Sequence, residues 1–131
     1  MHISRSTLIQ IAAISGALAV IAGAFGAHAL KEILDADQLM AYKTAVRYQM
    51  WHAIVILALG MGPVFDSKQG RLVGTLMLSG IILFSGSIYL LVMTGWGFLG
   101  PITPIGGLLF VASWVLLVVW VGKNKRIFNE K

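Results

Sequence analysis

Residues 72–122 run for 51 positions without one Asp, Glu, Lys or Arg. Soluble domains are about one quarter charged, so a water-exposed fold has no use for such a stretch. Its length suits two bilayer crossings of about 20 residues each. The bilayer is therefore the first constraint on anything this chain can fold into. Apolar runs of that length are read as membrane-crossing helices.

Four apolar segments are legible, at about residues 7–30, 47–65, 72–94 and 102–122. They predict an all-α integral membrane bundle of four transmembrane helices. With 131 residues, 58% of them hydrophobic, there is room for one domain spanning 1–131 and no separate soluble module. The third and fourth segments are divided at residues 95–104 by three glycines and two prolines, which break helix. Gly60, Gly62 and Pro63 end the second segment in the same way. The N-terminus resembles a signal peptide, with Arg5 before an apolar run. Residues 6–30 give 25 uncharged positions, however, longer than a signal core, and predict a retained first helix.

Residues 31–46 form the one substantial polar stretch, read as an amphipathic helical linker between helices 1 and 2. Asp35 and Gln38 have capping-box spacing. Leu39, Tyr42, Val46 and Met50 then recur at helical spacing, with Lys43 and Arg47 on another face. A helix is expected from about Ala36. It either runs straight into the second crossing or lies on the membrane surface and bends near Arg47.

Charge sets an expected orientation. Seven basic residues (Arg5, Lys68, Arg71, Lys123, Lys125, Arg126, Lys131) fall on one side, and three (Lys31, Lys43, Arg47) on the other. The positive-inside rule then puts both termini in the cytoplasm. The formal net charge of +5 collects at the ends of apolar segments. That distribution fits anionic lipid headgroups as partners and gives no case for nucleic acid. A second copy of the chain or another membrane protein is a further candidate partner.

Two groups of residues are candidates for more than spanning. Ala12, Gly16, Ala19, Gly23 and Gly26 form a small-residue stripe along the first helix, suited to close helix packing within the bundle or at a dimer seam. His28 ends the first helix, and Arg47, Tyr48, Gln49 and His52 begin the second apolar segment at similar depth. Ionisable groups at such positions are costly unless paired, which makes them candidates for ligand binding. The expectation is that they converge beneath a turn at Thr103–Pro104. The structural alternative is that Arg47 reaches headgroups and the histidines serve as caps.

Other chemistry is poorly supplied. Without cysteine there is no disulfide, thiolate nucleophile or Cys-ligated metal. The carboxylates Glu32, Asp35, Asp37, Asp66 and Glu130 all fall in linkers or the tail, so none accompanies a serine and histidine inside the membrane. Two histidines fall short of a zinc site, and the methionines show no metal-binding spacing. No cofactor and no enzyme activity are expected. Gly95-Trp-Gly-Phe-Leu-Gly100 matches a dinucleotide pattern but follows no strand. Ser85, Ser87 and Tyr89 read as pointing in different directions, not as one polar stripe, and the serines as bonding carbonyls four residues back. The two halves share no motif that would mark an inverted-repeat transporter.

Gly23-Ala-Phe-Gly-Ala-His-Ala-Leu-Lys31, Thr44-Ala-Val-Arg-Tyr-Gln49 with His52-Ala53, Phe84-Ser-Gly-Ser-Ile-Tyr89 and Thr103-Pro-Ile-Gly-Gly107 occur in that order. Together they resemble domain-of-unknown-function family 423, small bacterial inner-membrane proteins related to eukaryotic transmembrane protein 256. The resemblance implies a four-helix, multi-pass protein of the inner membrane and supplies no catalytic residue. The family pattern often has Glu before Thr44, where this chain has Lys43. The reading that follows is a membrane protein that binds a lipid headgroup or small anion near its outer face, or scaffolds a membrane partner. The alternative is a small oligomeric transporter or channel subunit.

Overall fold

The computed structural model describes residues 3–129. Lys131 and Glu130, counted above with the tail, lie outside them. The helices are α1 (Arg5–His28), α2 (Ala36–Met61), α3 (Lys68–Gly80), α4 (Ser87–Thr94), α5 (Ile102–Lys123) and the short α6 (Arg126–Asn129). A π turn, Ile81–Gly86, joins α3 to α4, so the two form one rod. Among the described residues there is no strand.

Local chemistry sets the helix ends. Ser4 caps α1 by accepting from the Thr7 amide. Asp35 accepts from Gln38 N while the Gln38 side chain accepts from Asp35 N, so the capping box forms as its spacing predicts. Gly95 terminates α4 at φ 71°, a left-handed position that glycine takes without a Cβ clash. Pro104 sits in the first turn of α5, where no intrahelical amide bond is lost.

The alternatives for residues 36–46 resolve to one continuous helix. At 26 residues, α2 is about 39 Å long. Leu39, Val46 and Met50 are part-covered and Tyr42 and Ala45 buried, so this stretch packs on α1 before Arg47 is reached.

Among the described residues, three helical stretches are long and apolar enough to cross a membrane: Arg5–Glu32, Lys68–Thr94 and Gly97–Lys123. The expected second crossing is not among them, because Arg47, Tyr48, Gln49 and His52 dilute its apolar run. The outward faces are apolar instead of charged. Ile14, Leu18, Phe25, Ile82, Leu108, Val111 and Val118 are all exposed, as a lipid-facing surface requires.

α1 packs along α2, and α5 packs along α3 and the π turn. Near the end where α1 begins and α2 finishes, Leu8, Ile56, Leu59, Val73, Met77 and Trp120 form one apolar core. Arg5 pairs with Asp66 there, tying the start of α1 to the α2–α3 connection. This is the proximal end. The distal end is where α1 finishes and α2 begins.

The small-residue stripe requires a correction. Ala12, Ala19 and Gly26 are buried, but the seam runs Leu8, Ala12, Ser15, Ala19, Gly26. Gly16 and Gly23 lie to its side. A Cβ built on Gly16 meets nothing within 4 Å, and one on Gly23 finds ordinary contact with Val46 at 3.6 Å. The tight approaches are elsewhere. A Cβ on Gly106 would lie 2.3 Å from Phe84 N, and one on Gly70 would lie 1.8 Å from Val64 O.

Candidate functional site

Helical periodicity sends the polar residues of α2 in three directions, because positions 47, 48 and 49 lie about 100° apart around the axis. The expected distal cluster is accordingly divided among three grooves.

Gln49 faces α1 and the rod. Its Nε2 donates to Ser15 O at 2.9 Å, and its Oε1 accepts from Tyr89 Oη at 2.8 Å. Tyr42, seven residues earlier on the same face, donates to Ala22 O at 2.9 Å, and its ring lies 5.2 Å from that of Tyr89. Ser85 donates to Ala45 O at 2.8 Å. These bonds join three helices across the apolar interior. Ser85 therefore bonds a carbonyl on α2, not one in its own helix. Ser85 and Tyr89 both face α2, a shared side that their spacing of four residues signals. Ser87 turns to α5.

Tyr48 and His52 face α5. The ring of His52 stacks on Phe110 at 3.6 Å, and that of Tyr48 on Phe84 at 4.7 Å. His52 Nδ1 lies 2.8 Å from Tyr48 O, and its Nε2 lies 3.3 Å from Trp114 Nε1. A carbonyl only accepts and an indole N–H only donates. His52 is therefore the neutral tautomer with Nδ1–H donating to Tyr48 O and Nε2 accepting from Trp114. Both ring nitrogens are committed. A groove of about 790 Å³ adjoins this stack, lined by Tyr48, His52, Phe84, Pro104 and Trp114 among others.

Arg47 faces a third way, with Lys43 one turn before it. The two line a smaller groove of about 210 Å³ with Tyr42, Val46 and the glycine positions 23 and 26 of α1. Both cations are exposed, and among the described residues neither has an ion pair. His28 is exposed in the last turn of α1. Thr103 lies in the first turn of α5, where it shares a 2.7 Å hydrogen bond with Ser87. Thr103 ties α5 to the rod there; Pro104, beside it, lines the His52 groove.

The structure thus brings Tyr48 and His52 together and separates Gln49 and Arg47 from them. It adds Ser15, Tyr42, Lys43, Tyr89 and Trp114. Three carboxylates near the helix ends have other tasks: Glu32 meets Lys31, Asp35 caps α2, and Asp66 meets Arg5, while Asp37 is exposed in the first turn of α2. Among the described residues, no three His, Asp or Glu side chains gather as a metal site would need.

The four sequence blocks that carry the resemblance are also the places where the helices meet. Gly23 lies against Val46, Tyr48 against Phe84, Gln49 against Tyr89, and Gly106 against the backbone at Phe84. A family model described as "Protein of unknown function (DUF423)" matches residues 22–107. A UPF0382 membrane protein of Staphylococcus saprophyticus is 42% identical over 111 residues, covering 85% of this chain and 92% of the relative. One of Haemophilus influenzae is 39% identical over 123 residues, covering 94% and 99%. One of Schizosaccharomyces pombe is 38% identical over 119 residues, covering 86% and 99%. No solved structure matches the chain.

Proposed function

This chain belongs to the DUF423 family of membrane proteins, and we propose that it is a binding protein for anionic lipid headgroups or small anions at its distal end. The observation that carries the reading is the groove between α1 and α2, where Lys43 and Arg47 stand one turn apart without a carboxylate partner among the described residues. The guanidinium fork offers bidentate donation to phosphate, and the ammonium adds a point charge. The glycine positions on α1 put no side chain into the groove and so leave it open to a headgroup.

In this reading α2 is a fourth crossing. Its length of about 39 Å is sufficient, and it turns Gln49 and His52 inward, both of them buried. The basic count supports cytoplasmic termini, with the Lys43–Arg47 groove at the outer face. The compartment is the bacterial inner membrane or its counterpart. A binding role is favoured over catalysis because both nitrogens of His52 are already engaged. Passage through the bundle is less favoured, because the proximal core is apolar and includes fully buried Leu8, Ile56, Val73 and Met77.

Native mass spectrometry of the full chain tests the reading. Phosphatidylglycerol retention is expected to exceed that of phosphatidylcholine, and the Lys43→Ala/Arg47→Ala variant is expected to lose the difference while keeping its melting temperature. Inorganic phosphate in a parallel titration separates a free-anion site from a headgroup site. Equal retention of both lipids with no phosphate binding would end the proposal.

A further inference from the structure

A different groove, of about 710 Å³, opens between α1 and the rod above the Gln49 network. Its walls are aliphatic, with Ile14, Leu18, Ile21 and Ile82 exposed along its rim. Ser15, Gln49, Ser85 and Tyr89 lie at its floor with little polar surface exposed to it, and among the described residues no charged side chain lines it. Ser15 is 8% exposed, and its Oγ has no hydrogen-bond partner among the described residues. Gln49 Nε2 donates once, to Ser15 O, which leaves its second hydrogen uncommitted. Ser85 and Tyr89 have both spent their hydroxyl hydrogens on Ala45 O and Gln49 Oε1.

Two donors therefore lie just beneath an aliphatic slot, and a buried donor left without an acceptor is unfavourable. The slot calls for an acceptor. The absence of charge in the lining calls for a neutral one, since an unpaired ion there would be prohibitively desolvated. Depth narrows the occupant further. Ser15 is ten residues from the start of α1 and thirteen from its end, so it lies about 15 Å along a helix of about 36 Å. Ordinary phospholipids carry their esters and headgroups at the interface and would set only methylenes against Ser15. We infer that this groove binds an uncharged long-chain lipid whose carbonyl group lies within the hydrocarbon core, accepting from Ser15 and Gln49, with its chain along the Ile14–Leu18–Ile21 face. The site is separate from the Lys43–Arg47 groove and does not depend on it.

The test uses the full chain in nanodiscs with two probes of equal chain length. Decylubiquinone carries ring carbonyls, and decylbenzene carries none. Native mass spectrometry reads retention per chain. One decylubiquinone is expected per chain, with decylbenzene about tenfold weaker, the worth of one good hydrogen bond. Ser15→Ala should bring decylubiquinone towards the decylbenzene level at an unchanged melting temperature. Leu18→Trp should block both, and Lys43→Ala/Arg47→Ala should block neither. Equal retention of the two probes would overturn the proposal, as would decylubiquinone binding that survives Leu18→Trp. A dimer that Leu18→Trp abolishes, with no quinone retained in either form, would assign the groove to a second copy and would also overturn it.

Discussion

One methyl group distinguishes the glycines that matter from those that do not. At Gly106 an added Cβ would meet the Phe84 backbone at 2.3 Å, and backbone cannot rotate away as a side chain can. Gly106→Ala is expected to destabilise the bundle by about 1–3 kcal/mol, the usual range for overpacking. Gly16→Ala, with nothing within 4 Å, should leave the thermal midpoint in detergent unchanged. The reverse order would refute the assigned α5–rod contact. His52 offers a second measurement at this scale. Ring ¹⁵N shifts at pH 7 should report a protonated Nδ1 and a bare Nε2, as Tyr48 O and Trp114 Nε1 dictate. His52→Phe keeps the stack on Phe110 but strands the Trp114 donor, at an expected cost of about 0.6–2 kcal/mol. The sequence marks His52 as unusual for its depth. It does not show that both nitrogens are occupied, because Trp114 is 62 residues away and only packing brings it near.

At the scale of the element, local rules read well. The capping box at Asp35, the break at Gly95 and the start of α5 at Ile102 were all legible, since each depends on residues within one turn. Asp35→Ala should therefore cost about 0.5–2 kcal/mol. Continuity through Arg47 was not legible. Nothing local distinguishes a helix that lies on the membrane and bends from one that continues. The contacts of Tyr42 and Ala45 with α1 and the rod decide it. Amides across residues 40–50 should exchange slowly and uniformly, whereas a fast-exchanging break near Arg47 would restore the bent alternative. The π turn at Ile81–Gly86 is likewise a tertiary outcome. It accommodates an extra residue in one turn, as such turns do near functional sites, and it is where Ser85 reaches Ala45 O and where Gly106 meets the backbone.

Across the whole molecule, the helices enclose an apolar core at the proximal end and open grooves beside the Gln49 network and the His52 stack. With α2 as the fourth crossing, the N- and C-termini lie on the same side. A periplasm-sensitive reporter fused after Lys131 is expected to stay silent, and a cytoplasmic one to be active. Periplasmic activity would invert the topology and move the Lys43–Arg47 groove to the inner face.

The sequence by itself determined the solvent, the helical class, the helix ends and the family, because hydropathy, caps and local motifs depend on neighbours along the chain. It also singled out Arg47, Tyr48, Gln49 and His52 as residues that a membrane helix must account for. Only the tertiary structure decided where each of them points. Three consecutive α2 positions diverge by about 100° each, so groups at one depth face different helices, and which helix stands on each side is set by long-range packing. That packing replaced one expected distal pocket with separate grooves. It also moved the small-residue seam from Gly16 to Ser15, the buried hydroxyl on which the carbonyl-lipid site rests.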